Sequence, residues 1–286
     1  MQNPFGIPGL VAFLLTAMLS VGTHAETAAP TRIVSINLCA DELLLALADP
    51  AQIASLSTYA TDPDLSTVVT AAERFPHKAA SAESVIAFAP DVILAGRFTK
   101  RDTRDMLARL GYRVVLLDAP RSVADSEKQI RSVAALVGHA DRGEALVASI
   151  EAAKARAEAQ APATHPTAAN YQRRGYVAGG DTLMAELLGI AGLTDAGGEL
   201  AGKFGGFVPL ERIVAHPPDY IVVAATGAAA EDEGSALLAH PALDRLYPES
   251  RRIVLPPKLT VCGGPTLPQA LDRVAAETRR VLAANP

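Results

Sequence analysis

Two stretches of this chain repeat one pattern, and that repeat limits the fold more than any other feature. Glu83-Ser-Val-Ile-Ala-Phe-Ala-Pro-Asp-Val-Ile-Leu aligns without a gap on Glu211-Arg-Ile-Val-Ala-His-Pro-Pro-Asp-Tyr-Ile-Val. In each copy an acid opens a short helix, Pro-Asp ends it, and an apolar strand follows. Proline cannot continue a helix and forces the residue before it out of the α region. Units of this kind build parallel sheets covered by helices. One copy in each half of the sequence predicts two similar α/β halves.

The flanking segments agree. Residues 32–36, 52–57, 92–95 and 113–117 read as short buried strands in the first half, and 168–172, 220–224 and 252–255 in the second. Asp41 and Glu42 open a helix carrying Leu43, Leu44, Leu45 and Leu47, which Asp49-Pro50 stops. Residues 81–89, capped by Ser81, and 103–110, ended by Gly111, are helical, as are 123–137, ended by Gly138. In the second half 182–188, capped by Asp181, together with 211–215, 237–246 and 267–284, are helical. Between the halves, residues 141–160 contain no Pro and no Gly after Gly143. Leu146, Ile150, Ala153 and Ala157 recur there at helical spacing, which predicts a rod about 30 Å long.

Composition narrows the function. Apolar residues make up 49% of the chain, enough for a substantial core, and a net charge of −5 gives no footprint for nucleic acid. Trp is absent, so any aromatic wall must be built from Tyr, Phe or His. Residues 8–21 are apolar over too short a run to span a bilayer, and Ala25 is a small residue before a cut ahead of Glu26. We read residues 1–25 as a cleavable signal peptide, a membrane anchor being the alternative. Export implies an oxidising compartment for Cys39 and Cys262. They can form a disulfide, remain two buried thiols, or meet a soft metal as thiolates.

With these residues placed, the chain resembles the periplasmic binding proteins of ABC importers for cobalamin and ferric siderophores, over essentially its whole mature length. The resemblance rests on Arg32-Ile-Val-Ser-Ile-Asn followed by Asp41-Glu-Leu-Leu-Leu-Ala-Leu, and on the two Glu/Pro-Asp units. The long helix after Leu136-Val-Gly-His-Ala-Asp-Arg and the segment Pro241-Ala-Leu complete it. It implies two Rossmann-like α/β lobes with parallel sheets, joined by one long rigid α-helix, with the ligand cleft between them. The expected division is 26–138 for the first lobe, 139–163 for the linking helix and 164–286 for the second lobe. It also implies that Glu83 and Glu211, one per lobe, dock onto arginines of the membrane permease, and that Phe75 and His77 face the ligand.

Ligands of open α/β sheets bind beyond the carboxyl ends of the strands. That rule selects segments 37–40, 59–62, 75–77, 96–98 and 118–121 from the first half. From the second it selects 172–176, 203–207, 226–227 and 256–264. Within them Tyr59, Phe75, Tyr176, Phe204 and Phe207 offer flat apolar walls. Arg173 and Arg174 offer fixed cations to an anionic ligand, and Asn37, His77, Arg97 and Lys203 offer polar contacts. Cys39 and Cys262 fall in loops on this side, where a disulfide would tie the cleft.

His77, His139, His216 and His240 are too scattered for a direct zinc or manganese site. A haem carrier using Tyr59 or His77 as axial ligand is the nearest rival. No P-loop, dinucleotide fingerprint, G-x-S-x-G or H-E-x-x-H is present, which speaks against an enzyme. A secreted α/β enzyme or a regulatory protein on the same scaffold is the rival from another class. The expected protein is a monomeric periplasmic solute-binding component with no intrinsic cofactor. It captures a ferric siderophore or a corrinoid and delivers it to an ABC permease.

Overall fold

The computed structural model describes residues 29–78, 81–224 and 237–285, so the expected signal peptide and the segment 226–227 lie outside the described residues. The first lobe runs β1 (Ile33–Ser35), α1 (Leu38–Leu47), β2 (Ile53–Ser57), α2 (Val69–Ala72), β3 (His77–Lys78), α3 (Ala82–Ile86), β4 (Val92–Gly96), α4 (Arg101–Arg109), β5 (Val114–Leu117) and α5 (Val123–Val137). The long helix α6 spans Ala140–Glu158. The second lobe follows as β6 (Thr167–Asn170), β7 (Tyr176–Val177), α7 (Leu183–Ile190), β8 (Thr194–Asp195), α8 (Gly197–Ala201), β9 (Gly206–Phe207), α9 (Leu210–Ala215), β10 (Tyr220–Val223), α10 (Pro241–Leu246), β11 (Arg252–Val254) and α11 (Leu267–Ala284).

The strands of the first lobe form one parallel sheet in the order β3-β2-β1-β4-β5. Those of the second form β11-β10-β6-β8, also parallel, with β7 and β9 paired as a separate antiparallel ribbon. Both sheets reverse direction at their first strand, which opens a crevice at its carboxyl end. Side-chain caps start the helices near these crevices. Asn37 Oδ1 accepts from the Cys39 and Ala40 amides at the head of α1, Ser81 Oγ from the Ser84 amide, and Ser122 Oγ from the Asp125 amide.

Two expectations shift at this level. Thr182, not Asp181, caps α7, and Asp181 is left for another contact. Residues 237–246 split into a 3-10 turn and α10, because His240 caps a new helix with Pro241 in its first turn. The two-residue strands β3, β7, β8 and β9 were not expected, being too short to show a periodicity.

α6 is not a free strut. It packs against α5 on one side and α11 on the other, burying Gly143, Val147, Ile150, Ala153 and Ala157. A Cβ at Gly143 would lie 2.6 Å from that of Ala134, so only glycine lets α5 and α6 approach this closely. Leu146, expected in the stripe, is only half-buried. A single apolar cluster runs from Leu43, Leu44 and Leu94 of the first lobe, through Ile150 of α6, to Leu183, Leu187, Leu267 and Leu271 of the second. Each fully buried aliphatic side chain contributes about 2 kcal/mol relative to exposure. The lobes therefore share a core as well as a linker.

Candidate functional site

The carboxyl edge of the first sheet carries the sequence-selected residues in strand order. His77 in β3 comes first, then Tyr59 after β2, Asn37 after β1, Arg97 after β4 and Asp118 after β5. Strands lie about 4.8 Å apart, so this rim is on the order of 19 Å long. Tyr59 is 54% exposed and Phe98, beside Arg97, is 87% exposed. Asn37 is half-buried, and Gly96 presses against it: a Cβ on Gly96 would meet the Asn37 amide at 2.5 Å. Phe75 is a wall of the lobe more than a free face, since its ring packs on the core. Nδ1 of the exposed His77 lies 3.2 Å from the Phe75 carbonyl oxygen.

The second lobe presents an aromatic ribbon. Tyr176 and Phe207 meet edge to face with centroids 5.7 Å apart, and the Tyr176 hydroxyl donates to the Phe204 carbonyl at 3.3 Å. Lys203 Nζ sits 5.5 Å from the centre of the Phe204 ring. Phe204 and Phe207 are 63% and 72% exposed, which is unusual for phenylalanine. Arg173 and Arg174 form an exposed turn beyond β6, with Arg174 at a φ of 58°.

Phe204 crosses to the first lobe. With Arg97, Leu116, Asp118, Arg121 and Lys128 it lines a cavity of about 650 Å³. The structure thus joins Arg97, Lys203 and Phe204 at one end of the cleft, while Tyr59 and His77 stand at the other end of the first sheet's edge.

The seam between the lobes is fastened where α5 begins. Cys39 and Cys262 form a disulfide with Cα atoms 5.3 Å apart, so the free-thiol and thiolate-metal alternatives fall. Cys39 lies in the first turn of α1, not in a loop as expected. Arg121 donates to Asp181 Oδ2 at 2.8 Å, the Val123 amide to Glu186 Oε2 at 2.8 Å, and the Gly264 amide to Ser126 Oγ. At Gly263 a Cβ would lie 2.7 Å from Pro120 and 2.8 Å from Ser126 Oγ, so the turn can nest against α5 only without a side chain. The sequence reading missed Asp181, Glu186 and Ser126 as seam residues. Phe98 and Val261 lay inside selected segments without being singled out as ligand contacts.

Two acids in α1, Asp41 and Glu42, are buried. Burial pushes the Asp41 carboxyl up to about 6 and the Glu42 carboxyl up to about 7. Glu83 and Glu211 are exposed in the first turns of α3 and α9. These helices feed β4 and β10, so both acids stand on the carboxyl side of their sheets, one per lobe. The phenol of buried Tyr171 is raised to about 12 by burial and then by the charge of Glu211. Among the described residues no group of three His, Cys, Asp or Glu gathers that could hold a metal ion. Nor is any helix there long and apolar enough to cross a membrane.

The fold has solved counterparts. The periplasmic heme-binding protein RhuT from Roseiflexus sp. RS-1, in apo form, is 24% identical with a TM-score of 0.71, covering 87% of this chain and 98% of that one. A periplasmic heme binding protein from Pseudomonas aeruginosa is 25% identical with a TM-score of 0.67, covering 86% and 92%. A possible iron-binding periplasmic solute-binding protein from Staphylococcus epidermidis ATCC 12228 is 19% identical with a TM-score of 0.71, covering 87% and 98%. No curated protein matches the sequence. The family model described as periplasmic binding protein matches residues 33–248, well over half of the sequence and parts of both lobes, and the chain belongs to that family.

Proposed function

We propose that this protein captures a preformed metal chelate in the cleft and hands it to the permease of an ABC importer. The observation that carries the reading is the set of exposed flat rings on both lobes, Tyr59 and Phe98 beyond the strands of the first sheet and Phe204 and Phe207 on the second lobe. Large ligands with apolar faces need such walls, and the few polar groups among them fix orientation. Arg97, Lys203, Arg173 and Arg174 suit an anionic rim, as carried by a ferric siderophore or by the side chains of a tetrapyrrole. A bare transition metal needs three or four converging ligands, and the described residues gather no such group.

Haem is the chelate to test first, because two of the solved relatives are named as haem-binding proteins. Tyr59 and His77, on the adjacent strand ends of β2 and β3, are then the candidate iron ligands. A corrinoid or a ferric siderophore is the remaining choice within the class. Delivery follows from Glu83 and Glu211, a carboxylate on each lobe that sets the orientation of docking on a basic permease surface. Such a carrier works in the periplasm, reached by removal of residues 1–25.

The test is absorbance and native mass spectrometry of the mature protein titrated with haemin, a cobalamin and a ferric siderophore. One of them binding one to one, and more weakly in Phe204→Ala or Tyr59→Ala, is the expected result. Absence of any bound mass and of any thermal shift with all three would overturn the reading.

A further inference from the structure

α1 buries two adjacent acids that no ligand contact explains. The Asp41 carboxylate meets Ser35 of β1 and Ser57, the last residue of β2, where the chain departs for β3, and the Glu42 carboxylate meets Thr67 further along that excursion. The Ser57 amide donates to Asp41 Oδ1 at 3.0 Å, and the Ser57 hydroxyl donates to Oδ2. The Thr67 amide and hydroxyl donate to Glu42 Oε1 at 3.4 and 3.1 Å. The two pins bracket residues 58–66, which carry Tyr59 exposed on the cleft rim above buried Ala60. Glu42 Oε2 is buried with no hydrogen-bond partner, so this acid is kept inside at a cost that packing alone would not select.

We propose that Asp41 and Glu42 are positioning residues of the ligand cleft: they hold the Tyr59-bearing segment against the first lobe, so that the ligand meets a preformed wall. The inference rests on the reading of this cleft as the ligand site. The segment has a 3-10 turn at Thr58–Thr61, Asp62 accepting from the Asp64 and Leu65 amides, and Ala60 in the core, but no strand of its own. The two pins at its ends add to that local structure, and a wall ordered only on binding lowers affinity. The raised carboxyls fit the arrangement. Among the described residues no basic group bonds to either acid, and their hydrogen-bond partners are hydroxyls and amides. The same helix carries Cys39 in its first turn, so the wall is referenced to the second lobe through the disulfide.

Hydrogen–deuterium exchange on the oxidised mature protein tests this without a ligand, and haemin titration tests its consequence. In Glu42→Ala and in Thr67→Val, exchange across residues 58–67 is expected to rise on the order of tenfold while the second lobe keeps its protection. Haemin affinity is expected to fall by a similar factor. Glu42→Gln should restore both, because its carbonyl oxygen still accepts from Thr67. Thr67→Val leaves both acids in place and so decides the matter if Glu42→Ala fails to fold. Unchanged exchange across 58–67 in Thr67→Val would overturn the proposal, as would loss of protection throughout the chain. If the wild-type protein binds neither haemin nor another chelate, the functional reading falls, while the exchange data still decide whether these acids hold the segment.

Discussion

Breaking the bond between Cys39 and Cys262 should remove a large part of the protein's stability. The two cysteines are 223 residues apart, so the bond closes a loop that contains nearly all of both lobes. Chain-entropy arithmetic for a loop of that length gives about 5 kcal/mol of destabilisation of the unfolded chain. That is an upper figure, because a compact denatured state already restricts the loop. Whole-domain stabilities run from about 5 to 15 kcal/mol, so the bond decides how far the protein sits from unfolding. In the folded state little should change, because α6, the shared apolar cluster and the bonds from Asp181, Glu186 and Ser126 still hold the lobes. The assay compares thermal and urea denaturation of the oxidised protein, the reduced protein and Cys39→Ser/Cys262→Ser. Oxidised protein should show no free thiol, and both altered forms should keep native circular dichroism while melting about 10 °C or more lower. Unmoved midpoints in protein confirmed to hold two free thiols would refute the loop-closure reasoning.

The buried acids should tilt the pH profile of stability. Both carboxyls titrate higher in the fold than in the unfolded chain, so between about pH 4 and pH 7 the native state holds more protons and stability falls as pH rises. Each acid contributes on the order of 3 kcal/mol to that fall, and Asp41→Asn/Glu42→Gln should flatten it in urea midpoints measured at about pH 5 and about pH 8. Asp49 and Asp91, which hydrogen bonds hold low, lose their contribution only below that window. A wild-type protein no less stable at the higher pH would contradict the assignment. Glu83→Ala/Glu211→Ala should abolish permease-coupled uptake and leave ligand affinity unchanged; unaltered uptake refutes docking through these acids. Gly263→Ala drives a methyl into Pro120 and Ser126 and should cost about 1–3 kcal/mol in denaturation while loosening the seam, and a neutral effect would show that the turn can move away.

The sequence exposed the parts of this molecule that are governed by local rules. α5 and α11 match the read ranges because Ser122, Gly138 and a proline in the first turn of α11 mark their ends. The repeated Glu/Pro-Asp unit located both lobes because it is a local stop signal followed by a buried strand. What stayed hidden depends on contacts between distant segments. Glu186 looks like an ordinary helix acid, yet it caps α5 across the seam. Asp41 and Glu42 read only as the acids that open a helix, and the fold shows both of them buried, bonded to Ser57 and Thr67. The pairing of Cys39 with Cys262 was one of three open choices, since no spacing rule brings two residues so far apart together. The cleft segments came from topology alone, which picks out whole loops but not which side chains within them, such as the exposed Phe98 and Val261, stand out from the fold.

The same seam bears on how such a cleft can work. A hinge made only of α6 would let the lobes swing, and the ligand would have to supply the free energy of closure. Here the swing is opposed on both sides of the helix. α5 and α11 grip α6 along its buried stripe, the disulfide ties α1 to the second lobe, and the bonds of Arg121, Val123 and Ser126 fasten the start of α5 to it. Large closure would have to shear a packed core, which is bistable at best and not continuously deformable. A fixed gap puts the burden of affinity on walls set beforehand, and so on whatever holds Tyr59 and Phe204 in place. Release then cannot come from the ligand's own hinge energy. Under the docking proposed for Glu83 and Glu211, it would come from a permease that engages both lobes at once, since each lobe carries one exposed glutamate.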